Sequence, residues 1–155
     1  MWNKLVGIGI LLMWLISSCS EAPMFDKSYS FPSNKWTQTV KPAFKVAIND
    51  TTKYYDFTIT FRVTTDYKYN NVWFYLNTKT PDGLTAREPF EIKITNPDGS
   101  WAGIETGTVV ETQLTFKRRK LPKKGNYYFT LEQGITNETL TDVLDIGLRV
   151  DETKK

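Results

Sequence analysis

An all-β protein, an antiparallel β-sandwich of jelly-roll or immunoglobulin-like kind, is what the sequence predicts for residues 36–155, and three observations predict it. Five Trp, eight Tyr and nine Phe stand among 155 residues, with abundant Thr, and these side chains suit a pleated, half-buried surface. Seven or eight runs alternate apolar and polar residues with a period of two, the spacing that sends successive side chains to opposite faces of a strand. Turn clusters such as NDTTK, TPDG, NPDG and PKKGN separate those runs. Their Gly, Pro, Asn and Asp each supply backbone geometry that a tight turn needs.

Ahead of the domain comes a segment of another character. Met1 to Lys4 holds one basic side chain, an apolar run from Leu5 to Ile16 follows, and Ser17, Ser18 and Cys19 close it. As a helix, Leu5 to Ser18 would be about 21 Å long, short of a hydrocarbon core of about 30 Å. Basic start, apolar middle and small residues before a cut make a secretory signal. Ile16-Ser17-Ser18-Cys19 resembles a bacterial lipobox, which implies cleavage before Cys19 and diacylglycerol on its sulfur. The chain therefore divides into a signal peptide over 1–18, a lipidated tether over 19–35, polar and with two prolines, and the sandwich over 36–155.

The strands follow in order. Phe44, Val46 and Ile48 alternate after Pro42, and Phe57, Ile59, Phe61 and Val63 alternate with Thr58, Thr60, Arg62 and Thr64. Val72, Phe74 and Leu76 alternate with Trp73, Tyr75 and Asn77, so this strand is apolar on both faces and is expected to be central, with Trp73 in the core. Phe90, Ile92 and Ile94 form the next, then Leu114 with Phe116, then Tyr127, Phe129 and Leu131, and last Ile146, Leu148 and Val150. No segment keeps a helical period; Glu138 to Leu144 is expected as a single short helical turn.

Composition narrows the chemistry. With no His and one Cys, zinc, copper and haem sites of the usual kinds lack ligands, and a serine nucleophile has no imidazole base. Asp98 and Asn96 offer oxygens that Ca²⁺ accepts, but Asp98 beside Gly99 reads first as a residue closing a turn. No carboxylate pair stands out as an acid and base for glycoside hydrolysis. No catalytic residue, metal site or cofactor is assigned. The formal charge of +3 falls by one with the loss of Lys4, too mild a field for a nucleic-acid partner.

Two features suggest contacts. Lys117-Arg118-Arg119-Lys120 with Lys123-Lys124 could meet an acidic partner or anionic lipid headgroups, or form a solvated strand end around Leu121-Pro122. Trp101, after a Pro-Asp-Gly turn, is either an exposed platform on which a sugar stacks or a lid on the core. The candidate interaction surface is thus Trp101 with Lys117, Arg118, Arg119 and Lys120, and Cys19 is the lipidation site.

Several stretches in fixed order carry a resemblance: FPSNKW from Phe31 to Trp36, TTDYKYNN from Thr64 to Asn71, NPDGSWAG from Asn96 to Gly103, GNYYFTLEQ from Gly125 to Gln133, and LTDVLDIGLRVDE from Leu140 to Glu152. With the lipobox they are similar to the gliding-motility lipoproteins of the GldH family of Bacteroidetes. What the resemblance implies is a non-enzymatic component of the cell envelope, held by acyl chains at the outer membrane. Its implied partners are proteins of the gliding or secretion machinery. The competing expectation is a glycan-binding accessory lipoprotein, which needs aromatic rings, Trp36 and Trp101 first among them, exposed together on one concave face.

Overall fold

The structure, a computed structural model, describes residues 22–153. Cys19, its acylation and the cleavage site lie outside the described residues. Among the described residues eleven strands form: β1 Phe25–Ser30, β2 Lys35–Thr37, β3 Ala43–Ile48, β4 Tyr55–Thr64, β5 Asn71–Lys79, β6 Thr85–Lys93, β7 Ile104–Thr106, β8 Val109–Arg119, β9 Gly125–Gln133, β10 Thr139–Thr141 and β11 Val143–Glu152.

Period-two alternation becomes burial directly. In β4, Phe57, Ile59, Phe61 and Val63 are buried, while Thr58, Thr60, Arg62 and Thr64 keep partial exposure. The same parity buries Phe44, Val46 and Ile48 of β3, and Tyr127, Phe129 and Leu131 of β9. Each fully buried aliphatic or aromatic side chain contributes about 1.5–3 kcal/mol relative to exposure, which explains why the inward set decides the register.

The strands build two facing antiparallel sheets, β1-β11-β4-β8-β7 and β3-β9-β5-β6, and a two-stranded ribbon of β10 and β2. Set aside the short edge strand β7, and β1-β11-β4-β8 opposite β3-β9-β5-β6 is the order of a jelly roll. That settles the choice between the two kinds of sandwich. It also sorts the connections: residues 49–54, 80–84 and 120–124 lie at one end, and 31–42, 65–70, 94–103 and 134–142 at the other.

Three expectations change. Residues 19–35 are not all tether: β1 pairs with β11 over six residues, Phe25↔Val150 to Ser30↔Asp145, and Phe31 is buried against Trp36. Because β1 is an edge strand held by backbone pairing, only Phe25 is even half-buried in it, so it shows no alternation. Gly147 gives this strand room, since a Cβ there would sit 3.3 Å from the Lys27 carbonyl oxygen. Glu138 to Leu144 forms β10 and the start of β11 rather than a helical turn, with Leu140 opposite Trp36. Trp73 lies on the outer face of β5, between inward Val72 and Phe74, and is 44% exposed. Strand β5 is interior to its sheet as expected, but only one of its faces is buried.

Candidate functional site

The residues expected to form one interaction surface stand at opposite ends of the sandwich. Trp101 belongs to the connection after β6 and bridges Thr95. Asp98 Oδ1 accepts from the Ser100 backbone N–H at 3.0 Å and from its hydroxyl at 2.6 Å, with Gly99 at φ +85° completing the turn. Those hydrogen bonds hold the Asp98 carboxyl below its ordinary value. Trp101 is half-buried and packs on the core, so it acts as a lid. The basic residues lie a full strand away, since β8 runs from Val109 at the Trp101 end to Arg119.

Local geometry sets how the basic residues point. Tyr55 pairs Arg119 while Phe57 pairs Phe116, so β8 carries a bulge opposite Asp56, a device that re-aims side chains. Arg118 takes φ +52° there, and its backbone N–H donates to Asp56 Oδ1 at 2.7 Å. That bond is the main reason the Asp56 carboxyl is held below the usual carboxylate range. The Arg118 guanidinium stands 4.8 Å from the centre of the Tyr54 ring, and the Lys120 ammonium 6.0 Å from it. Lys123 is ion-paired with Asp82, and Lys53 with Glu152 at 2.6 Å. Among the described residues, Lys117, Arg118, Arg119, Lys120 and Lys124 make no ion pair with a carboxylate. Beside them an apolar pocket of about 200 Å³ opens between the sheets, lined by Phe57, Phe90, Phe116 and Phe129 and bordered by Arg119 and Leu121.

A second surface, which the sequence reading missed, is the outer face of the β3-β9-β5-β6 sheet. Trp73 and Tyr75 of β5 share that face with Tyr128 of β9, which is 42% exposed. Arg87, from β6, stands over Tyr75 with its guanidinium carbon 3.4 Å from the ring centre, a cation–π contact. Glu132 gathers Lys41 at 3.4 Å and Arg87 at 3.5 Å. A hollow opens between Trp73, Tyr75 and Pro89 because Gly134 has no side chain; a Cβ there would stand 3.3 Å from the Tyr75 ring. The signal was present in the alternation of β5. A two-faced apolar strand places one aromatic set inside and the other on the surface whenever no third layer covers the sheet.

The rings on which a glycan platform depended are not displayed together. Trp36 is fully buried, stacked on Phe31 at 5.0 Å, with its indole N–H donating to the Val40 carbonyl at 2.9 Å. Among the described residues, the carboxyl groups with resolved shifts, Asp50, Asp56, Asp82 and Asp98, are all lowered. Each is engaged by a hydrogen bond or an ammonium group. None has the raised value that a general acid at neutral pH requires.

The family described as GldH lipoprotein matches residues 23–150. The gliding motility lipoprotein GldH homolog of Christiangramia forsetii is 29% identical over 156 residues, covering 96% of this chain and 95% of its own. The gliding motility lipoprotein GldH of Flavobacterium johnsoniae is 27% identical over 153 residues, covering 94% and 95% respectively. Among solved structures, Eiger TNF from S. frugiperda covers 86% of this chain and 95% of its own at 8% identity, with a TM-score of 0.38, a likeness too slight to bear on function.

Proposed function

We propose, from the premise that this chain belongs to the GldH lipoprotein family, that it is a non-enzymatic gliding-motility lipoprotein that serves as an adaptor in the cell envelope. Acylated Cys19 anchors it at the outer membrane after removal of residues 1–18, and residues 19–24 are the tether. Its partners are proteins of the gliding or secretion machinery. The observation that carries the reading is the family match over residues 23–150, which spans nearly the whole folded unit.

The adaptor part of the proposal has physical support in the outer sheet face. Trp, Tyr and Arg are the residue types that concentrate binding energy at protein interfaces. Trp73, Tyr128 and the Arg87–Tyr75 stack stand there on a rigid sheet, so little conformational entropy is lost when a partner covers them. The glycan reading loses the support it sought in Trp36 and Trp101, one buried and one a lid.

Co-purification tests the proposal. The native lipoprotein is extracted from its own membranes after mild crosslinking, beside a Trp73→Ala, Tyr128→Ala variant. Machinery subunits recovered with the native chain and lost with the variant are the expected result. Polysaccharide recovered in place of protein would replace the adaptor with a glycan-binding function.

A further inference from the structure

We propose that the end of the sandwich from which the chain leaves toward Cys19 rests on an anionic bilayer surface. Lys117, Arg118, Arg119, Lys120 and Lys124 meet headgroup phosphates there, and Leu84 enters the interface. The proposal takes the membrane attachment from the lipid-anchor reading above, while the charge and shape of the docking end come from the fold alone.

The register fixes which end this is. Phe25 pairs Val150, Val150 pairs Phe57, and Phe57 pairs Phe116. The first residue of β1 is therefore level with the start of β4 and the basic end of β8. Five residues lie between Cys19 and Phe25, and the six steps reach at most about 20–22 Å at ~3.3–3.6 Å per residue. An acyl group on Cys19 thus confines this end to within about 20 Å of the lipid, and electrostatic attraction acts over about 8 Å at physiological salt.

The charge is distributed to match. Segments 49–54, 80–84, 117–124 and 151–153, all at this end, hold seven basic and four acidic residues. The opposite end, in segments 31–42, 65–70, 94–108 and 134–142, holds three basic and five acidic. The four acids of the tether end are occupied, Asp82 by Lys123, Glu152 by Lys53, Asp151 by Arg149 and Asp50 by Thr52, and so is neighbouring Asp56 in β4, by the Arg118 N–H. An anionic surface therefore meets five cations that, among the described residues, make no ion pair with a carboxylate.

Apolar side chains accompany them. Leu84, at the β5–β6 turn, is 67% exposed, and Tyr54 and Met24 at the same end are 40% and 37% exposed. The Tyr54 ring, flanked by Arg118 and Lys120, has the amphipathic character that favours the headgroup level. An acidic protein would match the cations equally well, but nothing in that case would confine it to the end facing the anchor. A membrane is there already.

The test uses the acylated chain reconstituted in vesicles. Acylation consumes the single cysteine of the sequence, so Leu84→Cys and Asn137→Cys each give one labelling site, at opposite ends. A fluorophore at 84 is expected to be quenched by acyl-chain quenchers in vesicles containing phosphatidylglycerol, and one at 137 is not. High salt should reverse the quenching, as should Lys117→Ser, Arg118→Asn, Arg119→Ser and Lys120→Ser together. Each cation near such a surface contributes about 1 kcal/mol, or about fivefold in partition, so four removed should weaken docking on the order of several hundred-fold. The bulge uses only the backbone N–H of Arg118, which Asn supplies equally, and the salt titration gives the answer even if the fourfold variant does not fold. Equal quenching at 84 and 137, or none at 84, overturns the proposal. Intact mass of the same preparation reports acylation separately. A mature Cys19→Ser chain should still sediment with phosphatidylglycerol vesicles at low salt, and its failure to do so would overturn docking without touching the anchor.

Discussion

Asp145 and Arg62 face each other across β11 and β4 with unequal burial, and that inequality predicts unequal consequences for removing either. Arg62 Nε donates to Asp145 Oδ1 at 2.9 Å and Nη2 donates to Oδ2 at 2.6 Å, a forked, two-point contact. The Asp145 side chain is 8% exposed and the Arg62 side chain 43%. Arg62→Ala leaves a carboxylate buried without its counter-charge, which costs about 3–5 kcal/mol. Asp145→Ala leaves a guanidinium that water already reaches, so the loss is nearer that of charge-assisted hydrogen bonds, about 1.5–3 kcal/mol. Urea denaturation of the two variants and the double variant at pH 7 measures the difference. Arg62→Ala is expected to be the more destabilising, and the double variant should be more stable than Arg62→Ala alone, because removing the stranded charge relieves its burial. Equal losses for the two single variants, or strict additivity in the double, would refute the argument that burial sets the cost.

Two further predictions come from the backbone. Gly103→Ala should destabilise strongly, because its Cβ would stand 2.0 Å from the Glu111 carbonyl oxygen and 2.6 Å from Thr112 Oγ1; overpacking of this kind costs about 1–3 kcal/mol or more. Gly107→Ala, at φ +61° with open space around it, should lose only the left-handed strain of about 1–2 kcal/mol, and thermal melts of the pair separate crowding from strain. In acid, Asp50, Asp56, Asp82 and Asp98 hold protons less readily folded than unfolded, so the unfolded state binds more protons as pH falls. Stability should therefore be full above about pH 5 and decline below about pH 4. Denaturant titrations between pH 6 and pH 2.5 should show a shallower decline for Asp56→Asn, and an unchanged slope would contradict the assigned role of the Arg118 N–H bond.

Much of the sandwich could be read from alternation because burial and sequence period are the same fact in a two-layer sheet. Phe57 to Val63 and Tyr127 to Leu131 are inward wherever the alternation places them. What escaped was structure made without side-chain burial. Strand β1 is secured by six backbone pairings to β11, and β7 is exposed throughout, with Ile104 71% exposed; neither leaves a periodic trace. The strand order was equally invisible, because pairing between β1, β11, β4 and β8 joins residues far apart in sequence. The candidate surface was half legible. The basic run is as exposed as its composition suggests, but its distance from Trp101 follows from which end of β8 each occupies. A strand apolar on both faces admits two readings for Trp73, and only the absence of a third layer among the described residues decides between them.

One measurement reaches the proposed division between a membrane-facing end and a partner-facing sheet. Amine-reactive crosslinking of the native lipoprotein in its own membranes, read by mass spectrometry, samples lysines on both surfaces. Lys41, Lys45 and Lys93 flank the Trp73 face, and Lys120 and Lys124 lie at the tether end. Crosslinks to a machinery protein are expected from Lys41, Lys45 or Lys93, with Lys120 and Lys124 joined to no protein. Partner crosslinks concentrated at Lys120 and Lys124, with the sheet-face lysines free, would contradict it.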